Sequence, residues 1–157
     1  MKESGKDAVR VLATNRKALH DFHVEERFEA GVALLGTEVK SLRDGMLSLR
    51  DSYARFDGMQ LWLEGVHIPP YPAASYQNHD PLRPRKLLLH RRELHKLHGR
   101  VTERGYTLVP LRVYFKGNHI KVEMALARGK KMYDKREAER RKTELREADQ
   151  AVRDRRR

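Results

Sequence analysis

A chain of 157 residues has room for one compact core and a tail rather than for two ordinary domains, and 34 Lys and Arg against 22 Asp and Glu leave a formal charge of +12. That balance points to an anionic partner, nucleic acid before acidic proteins or membrane surfaces. The absence of cysteine excludes disulfides, a thiolate nucleophile and thiolate-rich zinc sites. No apolar run approaches the roughly 18 residues that span a bilayer, and no apolar signal core follows Met1 to Arg10, so the expected location is the cytosol.

Taken in chain order, Leu19 to Val24 is predicted as a strand pairing with a second one. In the second strand Phe28, Ala30, Val32 and Leu34 alternate with Glu29, Gly31 and Ala33, a period of two that buries one face. Thr37 to Asp44 is predicted as a helix capped by the threonine and stopped by Gly45. Ser48 to Phe56 and Met59 to Ile68 form a hairpin around Asp57-Gly58. Five of the six prolines fall between Pro69 and Pro84, which makes that stretch a functional or mobile loop. Its Tyr71 and Tyr76 either stack on bases or cover the barrel edge.

Arg91 to His98 is predicted as a second helix with Leu94 and Leu97 on one face and Gly99 as its stop. Val109, Leu111, Val113 and Phe115, then Ile120, Val122 and Met124, alternate on either side of a tight turn at Gly117-Asn118. These antiparallel pairings, with two small helices, imply a mainly β fold: a closed or nearly closed barrel of the oligonucleotide-binding type, spanning residues 1–126.

From Ala127 the composition changes, with 13 Lys and Arg against 7 Asp and Glu over 31 residues and few large apolar side chains. Residues 127–157 therefore form a basic tail, expected to be disordered when free and helical when bound, unless it serves only as a solvated aid to solubility. Ala138, Leu145 and Val152 recur every seven residues, with Ala148 on the same side, so the helix has a narrow apolar stripe.

His90, His95 and His98 lack a nearby carboxylate or thiol and are read as phosphate or surface contacts rather than metal ligands. Glu25, Glu26 and Glu29 form no two-metal cluster, and no phosphate-cradling glycine loop is present. Neither a metal, a cofactor nor an enzymatic activity is expected.

Several segments in order carry a sharper signal: Asn15-Arg16-Lys17-Ala18-Leu19-His20-Asp21-Phe22, Glu29-Ala30-Gly31-Val32 and Gly36-Thr37-Glu38-Val39-Lys40-Ser41-Leu42-Arg43. Asp51-Ser52-Tyr53, Arg85-Lys86-Leu87-Leu88-Leu89 and Gly129-Lys130-Lys131-Met132-Tyr133-Asp134-Lys135-Arg136 follow. In order and spacing these resemble the small protein B (SsrA-binding protein, SmpB) family from Ala8 to Arg136. The resemblance implies a monomeric cytoplasmic protein whose barrel binds the tRNA-like domain of transfer-messenger RNA (tmRNA) near its elbow. It also implies a tail that enters the empty messenger channel beside the small-subunit decoding centre, so that stalled ribosomes are rescued by trans-translation and the nascent chain is tagged.

Carried over residue by residue, the resemblance makes Asn15, His20 and Glu29 contacts to the RNA elbow, with Arg16 and Thr37 in the same binding set. Lys40, Arg43, Arg85 and Lys86 become phosphate clamps. Lys130, Lys131, Tyr133, Asp134, Lys135 and Arg136 become contacts to the decoding centre. Glu29 is expected to point away from the core, where a carboxylate accepts from base amino groups and rejects phosphate; its alternative is a solvated strand residue. Tyr133 stands where some family members carry histidine, which keeps stacking and removes protonation near neutral pH.

Two rival readings share the charge: a general single-strand binder on the same barrel, and a ribosome-associated structural protein with a threading tail. Against the first, the strands look poor in outward aromatics, only 7% of residues being aromatic.

Overall fold

The structure is a computed structural model that describes residues 8–74, 77–130 and 132–156, with the side chains of 103–104 and 132–135 outside the description. Seven strands and four helices follow one another along these residues. They are β1 (Val9–Thr14), α1 (Arg16–Asp21), β2 (Phe22–Val32), α2 (Gly36–Arg43), β3 (Tyr53–Asp57), β4 (Gln60–Glu64), β5 (Arg85–Leu88), α3 (Arg91–Arg104), β6 (Thr107–Lys116), β7 (His119–Gly129) and α4 (Met132–Arg155).

Every strand pairing is antiparallel, and the ladder closes on itself: β6 pairs with β3, then β4, β5, β2 and β7 follow, and β7 returns to β6. Six strands thus form a barrel without free edges, while β1 lies outside on β6. Inward residues such as Ala30, Leu61, Leu63, Leu87, Leu108, Val122, Met124 and Leu126 fill it. The hairpins turn where positive φ is available: Gly58 at +60° joins Asp57 to Gln60, and Gly117 at +60° joins Lys116 to His119.

Two bulges change the simple alternation. On β6 the ladder shifts between Pro110 and Arg112, so Val109 and Leu111 face a second cluster with Ala18, Ala125 and Ala127, whereas Leu108 and Val113 face the barrel interior. On β2 a shift between Val24 and Glu26 turns Phe22 and Val24 to that second cluster, while Phe28, Ala30 and Val32 stay with the barrel. The single buried face expected for Val109, Leu111, Val113 and Phe115 is therefore split in two. That split gives α1 its seat on the barrel wall.

Several boundaries differ from the sequence reading, each for a local reason. Leu19 to Asp21 is helical, not a strand, because Asn15 starts α1 by accepting the Ala18 N–H at 3.1 Å. Helix α2 is capped by Glu38, which accepts the Leu35 N–H at 2.8 Å; Thr37 lies inside the helix, and Gly45 ends it at φ +72°. Helix α3 runs through Gly99 and stops at Gly105, φ +65°, because Val101 continues the apolar stripe of Leu94 and Leu97 over the barrel mouth. His98 sits edge-on to Phe56 there, with ring centroids 5.0 Å apart.

Strand β7 continues past Leu126 to Gly129, which pairs with Phe22, and the Lys130 N–H donates to the Asp21 carbonyl at 2.8 Å. The tail that follows is the 24-residue helix α4, on which Leu145 and Val152 are exposed.

Candidate nucleic-acid interface

Glu29 sits on the outer face of β2, opposite Glu123 on β7. Two carboxylates face to face repel one another unless each is neutralised. Glu123 is held by Arg112 Nε at 2.9 Å and Arg27 Nη1 at 3.2 Å, and Glu29 accepts from the Tyr114 hydroxyl and from Lys116 Nζ at 3.4 Å. The Tyr114 hydrogen bond, opposed by partial burial and reinforced by Lys116, holds the Glu29 carboxyl below the ordinary carboxylate range. Burial and the same hydrogen bond push the Tyr114 phenol well above its ordinary value, so it stays a donor. Glu29 is thus an ionised acceptor fixed in place at the surface.

Beside it runs a groove lined by Phe28, Glu29, Gly31, Leu88, Leu89, His90, Glu93 and Lys121. Leu88 is 51% exposed. The strands approach closely because position 31 is glycine: a Cβ there would lie 3.3 Å from that of Leu88. The groove offers an apolar floor, an anionic acceptor and the Lys121 cation, a combination suited to the edge and face of a base next to a phosphate. Lys121 and Leu88 were not picked out as site residues from the sequence. The available signal was their register, since Gly31 pairs with both.

A second cluster gathers where α4 returns to α1. His20 Nδ1 lies 3.0 Å from Asp21 Oδ1, and its Nε2 lies 2.9 Å from Glu139 Oε1; Arg16, Leu19, Lys130, Ala138 and Lys142 line the same cleft. Arg16, His20 and Lys130 therefore stand together, while Glu29 is seven residues of strand from Phe22, about 20 Å away.

Lys40 and Arg43 are exposed on α2, with Lys40 Nζ 5.5 Å from the centroid of Tyr71. Tyr71 is pinned at its backbone by Asn78, and Thr37 Oγ1 lies 2.9 Å from Nδ1 of the buried His79. His79 Nε2 is 2.7 Å from the Ile68 carbonyl, and Ser41 Oγ donates to Pro69 at 2.8 Å, so the described part of the proline-rich loop is tied to α2. Lys86 is partly exposed on β5, and Arg136 is exposed on α4. Lys131, Tyr76 and the side chains of Tyr133, Asp134 and Lys135 lie outside the described residues.

Two expected RNA contacts prove to be internal. Asn15 is 6% exposed; besides capping α1, its Nδ2 donates to the carbonyls of Leu49 at 3.3 Å and Pro110 at 2.9 Å. Both donors of that amide and one lone pair of its oxygen are spent within the fold. Arg85 is 1% exposed and donates to Glu38, to the Val66 carbonyl and to the Pro81 carbonyl at 3.1 Å. A guanidinium enclosed in this way clamps the loop before β5, not a phosphate.

Among the described residues, no group of three or more His, Cys, Asp or Glu side chains is placed to hold a metal ion, and no helix is long and apolar enough to cross a membrane.

Comparison with known proteins settles the lineage. A profile described as SmpB protein matches residues 12–154. The chain belongs to the SmpB protein family. SsrA-binding proteins of Carboxydothermus hydrogenoformans and Syntrophobacter fumaroxidans are each 54% identical to it, over 92% and 94% of this chain and 97% and 92% of theirs. That of Roseiflexus sp. is 52% identical over 96% of both chains. A solved SmpB-family structure, described as "tmRNA-SmpB: a journey to the center of the bacterial ribosome", is 52% identical and superposes with a TM-score of 0.64 over 76% of this chain and 85% of that one. The family that the ordered segments suggested is therefore the one to which the chain belongs.

Proposed function

We propose that this protein binds SsrA, the transfer-messenger RNA, and delivers it to stalled ribosomes for trans-translation. The observation that carries the reading is family membership over nearly the whole chain, with relatives named for binding SsrA and a related structure described with tmRNA in the ribosome. The surface agrees chemically. A fixed carboxylate beside an apolar groove and a lysine gives selectivity for a folded RNA, while the cations on α1, α2 and α4 supply attraction to phosphate.

In this reading the Glu29 groove receives the tRNA-like domain, with the barrel in place of an anticodon arm, and α4 lies along the messenger channel. Its role is binding and positioning, carried out in the cytoplasm where ribosomes work; peptide transfer belongs to the ribosome. Sequencing the RNA that co-purifies with the full chain tests this directly. One dominant transfer-messenger RNA is the expected result. A mixture of single strands would support a general binder instead, and ribosomal RNA alone would support a structural ribosomal protein.

A further inference from the structure

The chain's single tryptophan, Trp62, lies on β4 between Leu61 and Leu63, which are 0% and 2% exposed inside the barrel. Successive strand side chains point to opposite faces, so the indole is on the outside. It belongs to neither hydrophobic cluster. The largest ring in the protein is thus withheld from the core and laid, half-buried, on the barrel wall, where its Nε1 is shielded yet has no hydrogen-bond partner. An indole N–H usually finds a partner when buried.

Its neighbours are cationic. Trp62 pairs across the sheet with Arg55 on β3 and with Lys86 on β5, so both cations flank the ring on the outer face. Arg55 is steadied by Glu64 at 2.7 Å, whereas Lys86 has no carboxylate partner among the described residues. Two residues along β5 from Lys86 comes Leu88, part of the floor of the Glu29 groove. The aromatic site and the groove are therefore continuous across β5.

We infer that Trp62 is a stacking subsite for one unpaired base of the bound RNA, with Lys86 on the adjoining phosphate. This rests on the proposed function and adds to it a second point of base recognition. The ring supplies the π-face that every base accepts, and the flanking cations favour a nucleotide over an apolar peptide. An outward aromatic on these strands was not evident from composition.

With one tryptophan in the chain, fluorescence excited at the red edge of the absorption band, where the six tyrosines do not absorb, reports on this ring alone. Titrating transfer-messenger RNA into the full-length protein should quench Trp62 emission with the same midpoint as binding followed by gel shift. Trp62→Ala should weaken binding about 5-fold or more, the loss expected for one stacked base, while Trp62→Phe stays within about 3-fold. Lys86→Ala should lower the salt dependence by about one ion. Circular dichroism of each variant checks the barrel, and quenching in the unmodified chain needs no variant at all. Saturated binding with unchanged emission, or Trp62→Ala binding as tightly as the unmodified chain, overturns the stacking subsite and leaves the proposed function standing. Failure of the unmodified chain to bind this RNA overturns both.

Discussion

Glu38 is wholly enclosed, and it is ionised. Burial raises its carboxyl, but hydrogen bonds from Arg83, the Leu35 N–H and Arg85 outweigh that and hold it below its ordinary value of 4.5; burial also lowers the Arg85 guanidinium, which starts so far above neutral pH that it stays charged. Removing one partner strands the other, so Arg85→Ala should cost ~3–5 kcal/mol in urea unfolding, and replacing Glu38 and Arg85 together by methionine should cost less than either loss alone. Because the folded carboxyl is depressed, its contribution to stability is present above pH 4.5 and is lost as the pH falls below it, and Glu38→Gln should flatten that acid slope. Glu29 is tested differently, since its partners keep it ionised at the surface. Glu29→Ala should lower the preference for transfer-messenger RNA over unrelated RNA about 5-fold or more in competition binding, with nonspecific affinity nearly unchanged; an unaltered ratio would refute its role. The period of two was enough to place Glu29 outside. Asn15 and Arg85, carried over from the family resemblance as RNA contacts, are enclosed by Leu49, Pro110, Glu38 and Val66, partners far away along the chain that no local pattern announces.

At the scale of elements, what was legible was whatever a few neighbouring residues decide. The β6–β7 hairpin and its Gly117-Asn118 turn, the β3–β4 hairpin and helix α2 needed only alternation, turn chemistry and a stop signal. Strand β1 and the four-residue β5 went unpredicted, because their pattern is weak and their ladders come from β6, β2 and β4. Gly99 and Gly105 separate a sequence signal from a structural requirement. Nothing lies within 4 Å of a Cβ added at Gly99, which is helical, whereas Gly105 holds φ +65°. Gly99→Ala should therefore stabilise the protein by ~0.5–1 kcal/mol, and Gly105→Ala should destabilise it by ~1 kcal/mol or more. Thermal unfolding of the two variants gives shifts of opposite sign if α3 ends at Gly105, and the reverse pair of signs would restore the stop at Gly99.

For the whole molecule, a closed barrel leaves recognition to its outer wall and to α4, and the net charge of +12 is spread over both. Binding to the RNA should weaken steeply with salt, with a slope corresponding to roughly 4 to 8 released ions, and constant affinity from low to physiological salt would contradict an electrostatic footprint. The two parts should also be separable. Cutting after Lys130 keeps the Gly129–Phe22 pair and the Lys130 N–H bond to Asp21, and it removes a helix on which Leu145 and Val152 are exposed and whose contact with α1 includes His20–Glu139. Little core is uncovered, so the unfolding midpoint should barely move. The shortened protein should still bind transfer-messenger RNA, because the Glu29 groove is intact, yet fail to support tagging in a purified translation system. A basic helix with few apolar contacts offsets its ordering entropy only on a phosphate-lined partner such as the ribosomal channel. Replacing Asp134, Lys135 and Arg136 with alanine in the full chain should reproduce much of the defect, since it leaves most of the tail's charge in place and removes the family-matched segment. Normal tagging by the shortened protein would remove α4 from ribosome engagement, and loss of RNA binding would assign α4 to the first encounter with the RNA.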